Sequence, residues 1–166
     1  MISTEKYIFT DASFSKTHQI AVIGFIIFNS TTEYETKELK DMTIHLHKIQ
    51  EANNIRAEIR GALFAIKTLP KKSKIILYSD CQTLIQLPER QKKLEATNFI
   101  SQSKHQLLKN ADIYTEFYSL TSTHHIELNW IKGHTSVSSK NKNHFIFSKL
   151  DKEVRKQLRK YINEEK

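Results

Sequence analysis

The chain has 166 residues, enough for one domain with a real core, and we expect a single domain over residues 1–166. Its 26 lysines and arginines outnumber its 18 aspartates and glutamates, which gives a net charge of +8. This charge favours a polyanionic partner, either nucleic acid or an anionic membrane surface. A need for solubility alone would also account for the charge. The single cysteine, Cys81, excludes an internal disulfide and fits a reducing compartment. No apolar run approaches the ~18 residues of a membrane span, and no signal peptide opens the chain. We therefore expect a soluble, cytoplasmic protein.

Three extended segments are predicted in the first third of the chain. Residues 6–11 and 20–28 are apolar and rich in β-branched side chains, and residues 29–32 indicate a turn. A third strand is predicted to cover residues 33–46, with alternation clearest at Met42, Ile44 and Leu46. These three strands would form an antiparallel meander.

A strand–helix–strand unit follows. Asn53 and Asn54 offer a helix cap, apolar residues recur at helical spacing over 55–67, and Pro70 ends the helix. Residues 74–80 form the next predicted strand, and another helix begins after it at Gln82. This order implies a parallel pair of strands joined by a right-handed crossover.

The rest of the chain alternates helix, strand and helix. Residues 89–123 are predicted to be helical with a break near Asn110, and residues 125–130 to form a strand whose last residue, Trp130, packs in the core. A polar loop over 132–143 precedes a final amphipathic helix over about 145–163.

Four carboxylates and one histidine lie at informative places in this order of elements. Asp11 and Asp80 end predicted strands, and Glu58 lies one turn inside the connecting helix. Asp151 lies one turn inside the last helix, and His134 lies in the loop before it. Each residue alone is more often a cap, a turn residue or a solvated side chain, but as an ordered set they would meet at the sheet edge where ligands bind.

Clustered carboxylates require a compensating charge. Two of them ~5 Å apart repel by about 3 kcal/mol at an effective dielectric of ~20, so a group of four either raises its pKa values or recruits cations. Hard divalent ions with oxygen ligands are the natural answer, and Mg²⁺ is the commonest. A pair of such ions supports phosphodiester hydrolysis, which together with the basic surface predicts a nuclease.

Five motifs make the chain resemble the type 1 ribonuclease H family, and they occur in the family's order. They are YIFTDAS at 7–13, NIRAE at 54–58, LYSDCQ at 77–82, WIKGHT at 130–135 and LDKEVR at 150–155. Each motif is weak by itself, but five in order with suitable elements between them make a strong signal.

The resemblance implies a fold and an activity. The fold is α/β, with a mixed five-stranded sheet of three antiparallel strands plus parallel strands and helices on both faces. The activity is endonucleolytic hydrolysis of the RNA strand of RNA–DNA hybrids by two Mg²⁺ ions, with Mn²⁺ as an alternative, giving 5′-phosphomonoester products. The implied partner is an RNA–DNA hybrid rather than a membrane, and the protein is expected to be a monomer.

The resemblance also implies roles for individual residues. The metal ligands would be Asp11, Glu58, Asp80 and Asp151, with Glu153 as the alternative to the last. His134 would assist proton transfer or product release. Contacts to the substrate are expected at five further positions: Ser13, Asn54, Gln82, Lys92 and Lys93.

Two other functions stay open from the sequence. One is a nuclease of the same fold that acts on another nucleic acid, such as single-stranded or double-stranded RNA. The other is a weakly active or inactive module that binds hybrid or double-stranded RNA. The four carboxylates, all present, argue against the inactive module.

Overall fold

A five-stranded mixed sheet forms the centre of the protein. The computed structural model describes residues 4–133 and 141–166. The strands are β1 (Glu5–Ser15), β2 (Ile20–Phe28), β3 (His45–Gln50), β4 (Lys74–Ser79) and β5 (His125–Trp130), arranged in the order β3-β2-β1-β4-β5. The first three pair in antiparallel fashion, β4 runs parallel to β1, and β5 runs parallel to β4. The predicted sheet is therefore confirmed.

Helices cover both faces of this sheet, as expected. They are α1 (Thr31–Thr36), α2 (Asn54–Lys67), α3 (Gln82–Ala96), α4 (Ala111–Thr121) and α5 (Lys142–Glu164), with a 3₁₀ turn at Leu39–Asp41. Helices α2, α3 and α4 enclose one hydrophobic cluster with the sheet, and α5 encloses a second cluster on the opposite face. None of the described helices is both long enough and apolar enough to cross a membrane.

The packing of α5 on the sheet depends on a glycine. At Gly24 in β2, an added Cβ would lie 2.4 Å from Val154 Cγ1 and 3.0 Å from Leu150 Cδ1, both on α5. Real Cβ atoms do not approach so closely, so only a glycine lets the helix lie at this distance from the strand. Gly24 pairs with Asp11 of β1, and the close approach therefore fixes α5 beside that carboxylate.

The predicted third strand was largely wrong. Residues 31–36 form α1, the 3₁₀ turn follows, and the strand begins only at His45. Local hydrogen bonds explain the difference, because the Ser30 side chain accepts from the backbone N–H of Glu33 at 3.0 Å and so caps a helix. Tyr34 then stacks on Tyr7 with ring centroids 4.3 Å apart, which holds the helix against the sheet.

Three smaller differences concern the second half of the chain. The predicted helical region 89–123 is two helices, α3 and α4, separated by residues 97–110 rather than by a short break. The last helix begins at Lys142, earlier than expected, because Asn141 and His144 form a capping box. Trp130 does not pack in the core, since it ends a strand at the sheet edge and 50% of it is exposed.

Candidate active site

Asp11 and Asp80 lie side by side because of the register between β1 and β4. The last pair in this parallel ladder joins Phe9 to Tyr78. Asp11 lies two residues after Phe9, and Asp80 lies two residues after Tyr78. Asp80 lies just beyond β4, as expected. Asp11 does not end its strand, because β1 continues to Ser15 in its hairpin with β2, so it lies where the pairing with β4 ends.

Helix α2 brings a third carboxylate to this edge. Asn53 caps the helix by accepting from the backbone N–H of Arg56 at 2.9 Å, and Glu58 follows one turn later, as predicted. Carboxylate oxygens of Asp11, Glu58 and Asp80 all lie within 4.8 Å of one another. Asp11 is 3% exposed and Glu58 is 6% exposed, so the group is largely removed from water.

Burial and mutual repulsion perturb two of these groups. Burial raises the pKa of Asp11 well above its usual range, and the charges of Asp80 and Asp151 raise it further. Burial likewise raises the pKa of Glu58, with added repulsion from Asp11 and Asp80. Each charged form is therefore disfavoured unless a cation compensates it.

The donor set fits a hard divalent cation. Asp11 Oδ2 and Glu58 Oε2 are buried and have no hydrogen-bond partner among the described residues. Buried polar atoms are normally satisfied, so two unpaired carboxylate oxygens facing a third carboxylate need an explanation. Carboxylate oxygens are the ligands that Mg²⁺ prefers in proteins, and this cluster could hold such an ion.

Asp151 approaches the cluster from α5. The charge of Asp151 raises the pKa of Asp11, whereas Glu153 is not among the groups that do so. The Asp151 carboxylate also lies 3.0 Å from Arg155 Nε, one turn further along α5. Because α5 begins at Lys142, Asp151 lies about two and a half turns inside the helix, not one turn as expected.

The segment after β5 passes close to Asp80. A Cβ on Gly133 would lie 3.1 Å from Asp80 Oδ2, so the backbone there approaches the carboxylate closely. The next residue, His134, lies outside the described residues. Its predicted role stays a prediction.

The expected substrate contacts are spread over three elements. Ser13 is half-buried on β1, two residues beyond Asp11, while Asn54 and Gln82 are the exposed first residues of α2 and α3. Lys92 and Lys93 are exposed on α3, further from the carboxylates.

A partly buried ion-pair network was not foreseen. Arg56 lies two residues before Glu58, and its guanidinium binds the carboxylates of Glu51 at 2.7 Å and Asp112 at 2.8 Å. The network joins the start of α2 to α4 and so fixes the helix that carries Glu58. The closeness of Glu51 and Arg56 in sequence is a usable signal, but Asp112 is distant in the chain and could not have been assigned.

Known proteins resemble this chain in sequence and in fold. A sequence model of the RNase H family matches residues 3–155. A protein named Ribonuclease H from Legionella pneumophila (strain Corby) is 32% identical over 96 residues, which is 58% of this chain and 66% of that protein, just under two thirds of its length.

Two solved structures share the fold. The PFV RNase H domain superposes with a TM-score of 0.67 at 16% identity, covering 93% of this chain and 94% of that chain. A foamy viral protease–reverse transcriptase, solved in complex with RNA/DNA hybrid, superposes with a TM-score of 0.56 at 17% identity, covering 89% of this chain and 19% of that one. The match to the family model over almost the whole length confirms the resemblance found in the motifs, and the chain belongs to the RNase H family.

Proposed function

We propose that this protein is a metal-dependent endonuclease that hydrolyses the RNA strand of RNA–DNA hybrids and leaves 5′-phosphomonoester ends. The observation that carries the proposal is the buried cluster of Asp11, Glu58 and Asp80, with two carboxylate oxygens that have no partner among the described residues. Such a cluster is costly to fold and serves no packing purpose, which favours a role in chemistry.

Four carboxylates would hold the metal. Asp11 and Asp80 would supply oxygens from β1 and the end of β4, Glu58 from α2, and Asp151 from α5. Two bound Mg²⁺ ions, or Mn²⁺ in their place, would activate a water molecule and stabilise the leaving oxygen of a phosphodiester. Because Asp11 and Glu58 are buried, solvent compensates their charges poorly, and a bound cation would stabilise them.

Residues around the cluster would bind the nucleic acid. Asn54 and Gln82 stand exposed at the starts of two helices beside the carboxylates, and Ser13 lies on the adjoining strand. We assign to these polar groups the recognition of the 2′-hydroxyl, which marks RNA within a hybrid. Lys92 and Lys93 would contact phosphates, in keeping with the net charge of +8.

The hybrid is favoured over other substrates by the family and by one neighbour of the same fold that is bound to an RNA/DNA hybrid. His134 would assist proton transfer or product release, because an imidazole titrates near neutral pH. We further propose that residues 1–166 form one domain that acts as a monomer in the cytoplasm.

A panel of substrates tests the proposal. End-labelled RNA–DNA, RNA–RNA, DNA–DNA and single-stranded RNA of one sequence would be incubated with the protein in Mg²⁺, Mn²⁺ or EDTA. We expect rapid cleavage of the hybrid with either ion and none in EDTA. Faster cleavage of RNA–RNA or single-stranded RNA would assign another substrate, and tight binding without cleavage in either ion would indicate an inactive module.

A further inference from the structure

Trp130 is the only tryptophan in the sequence, and 50% of it is exposed. Tryptophan is highly buried in most proteins, because it carries one of the largest apolar surfaces of any side chain. A half-exposed tryptophan at a candidate active site therefore needs an explanation.

The backbone places Trp130 next to the carboxylates. Trp130 pairs with Ser79 in the parallel ladder between β4 and β5, and Asp80 directly follows Ser79. Neighbouring strands lie about 4.8 Å apart, so Trp130 is one strand away from the cluster.

Two contacts hold this part of the backbone in place. The N–H of Ile131 donates to the carbonyl of Ser79 at 2.9 Å, which extends the ladder by one residue. Ile131 itself is 4% exposed and packs in the cluster under α5. The position of Trp130 is therefore set by the sheet.

The pleat of β5 determines the direction of the indole. Ile126 and Leu128 pack against the cluster beneath α2, α3 and α4, and side chains two residues apart share a face of a strand. Trp130 thus lies on the same face, beyond the end of the core, where α3 begins at the exposed Gln82. Among residues 4–133 and 141–166, no ring contact or hydrogen bond involves the indole.

We propose that Trp130 binds the nucleic-acid strand beside the cleavage point and packs its ring against sugars and base edges of the minor groove. This inference rests on the proposed function. A duplex that contains RNA has a wide, shallow minor groove that displays 2′-hydroxyls and base edges, so a flat ring on the protein surface can reach them. The indole also offers one N–H donor that no described residue uses.

Fluorescence tests the contact without any cleavage. Because Trp130 is the only tryptophan, its emission reports on this position alone. A dye-labelled RNA–DNA hybrid would be titrated in EDTA at low salt, with dye anisotropy measuring binding independently. We expect the tryptophan emission to change with the same midpoint as the anisotropy, and acrylamide quenching to fall as the hybrid covers the ring.

Two outcomes of the titration are distinct. If anisotropy reports a saturated complex while emission and acrylamide quenching stay as in the free protein, the contact is absent, although the proposed function stands. If the anisotropy shows that no hybrid binds in EDTA and no hybrid is cleaved in Mg²⁺, the proposed function fails and this inference fails with it.

Substitution gives a second readout. Because Trp130→Ala removes the apolar surface that the ring would bury against sugars and base edges, it should raise KM about fivefold or more, and Trp130→Phe should raise it less. We expect kcat to stay within about twofold of wild type, since the ring binds the strand before and during the reaction alike. The control is Phe64→Ala, which removes a ring that is 40% exposed and packs on His47, away from β5, and which should leave KM unchanged.

A structural role predicts a different pattern. If Trp130 only stabilises the fold, Trp130→Ala would lower the melting temperature and the active fraction, and kcat would fall while KM stayed at the wild-type value. Such a pattern would overturn the proposal.

Discussion

Asp11 and Glu58 carry unfavourable charge in a place that water hardly reaches. Two ionised carboxylates about 5 Å apart repel by roughly 3 kcal/mol at an effective dielectric of ~20, and burial adds to this cost. The cluster therefore reduces stability, which fits the chemical role proposed for it. Substituting single carboxylates by amides separates these two effects.

Asp80→Asn should abolish cleavage while the protein stays folded. The amide keeps the size of the side chain but removes the charge that a cation needs, and it also reduces repulsion with Asp11 and Glu58. We expect no cleavage of a labelled hybrid in Mg²⁺ and a melting temperature equal to or above that of wild type. Cleavage at a near wild-type rate would remove Asp80 from the mechanism.

Glu58→Gln should change how stability depends on pH in the absence of metal. Because the pKa of Glu58 is raised in the folded protein, its stabilising contribution is full below the unfolded pKa of about 4.3 and is lost as pH rises through the folded pKa. We expect metal-free wild type to become progressively less stable than the variant as pH rises. Urea unfolding of both proteins at several pH values would measure this difference.

Other titratable groups also change the stability of the protein with pH, some of them in the opposite direction to Glu58. Their contributions are the same in wild type and in Glu58→Gln, so they cancel when the two proteins are compared. Asp112, for example, has its pKa lowered to about 2 by Arg56 and loses its stabilising contribution as pH falls. Adding Mg²⁺ should stabilise wild type more than the variant at neutral pH, because a bound ligand favours the folded state. A difference between the two proteins that stays constant with pH would contradict the raised pKa.

At the scale of elements, the distance between α5 and β2 sets the position of Asp151. Gly24→Ala would force a Cβ to within 2.4 Å of Val154, whose branched side chain has little freedom to move. We expect a decrease of about 1–3 kcal/mol in the free energy of unfolding, the usual cost of overpacking, together with slower cleavage as α5 shifts.

Gly61→Ala is the matched control for this change. Its added Cβ would lie 3.4 Å from Ile23 Cβ, an ordinary contact, and alanine favours a helix over glycine by about 1 kcal/mol. The control should therefore be as stable as wild type or more so, with unchanged cleavage. Equal destabilisation by both substitutions in urea unfolding would show that the contact between α5 and Gly24 has no special role.

The elements that could be predicted from sequence are those with regular apolar patterns. β1, β2, α2 and β4 were predicted because their apolar spacing is continuous, and Asp80 and Glu58 could be placed on them. Helix α1 begins at a recognisable signal formed by Ser30 and Glu33, but the alternation at Met42, Ile44 and Leu46 favours a strand over the same segment. The meeting of Asp151 with Asp11 depends on how α5 packs on the sheet, which sequence spacing does not define.

At the scale of the whole molecule, the charge of +8 should make binding sensitive to salt. Phosphate contacts release counterions, so log K for the hybrid should fall linearly with the logarithm of salt concentration. Replacing Lys92 and Lys93 by glutamine should weaken binding and reduce this slope by about 2, one for each phosphate that the variant no longer neutralises. Anisotropy titrations of a labelled hybrid at several salt concentrations in EDTA would measure the slope.

The matched control removes the same charge elsewhere. Lys71 and Lys72 are exposed before β4, at the opposite end of the strand from Asp80, and their replacement by glutamine should leave the slope unchanged. If both double variants reduced the slope equally, binding would reflect net charge alone. An unchanged slope in the first variant would show that α3 does not contact the phosphates.

The activity proposed for this protein is cleavage of RNA within a hybrid at the carboxylate cluster, and it depends on a divalent ion. The most direct test is a hybrid whose RNA and DNA strands carry different end labels, incubated with the protein in Mg²⁺ and resolved by strand. We predict that the RNA strand is cut internally, that the DNA strand stays whole, and that EDTA stops the reaction. Cleavage of the DNA strand, or cleavage of RNA that continues in EDTA, would contradict the account.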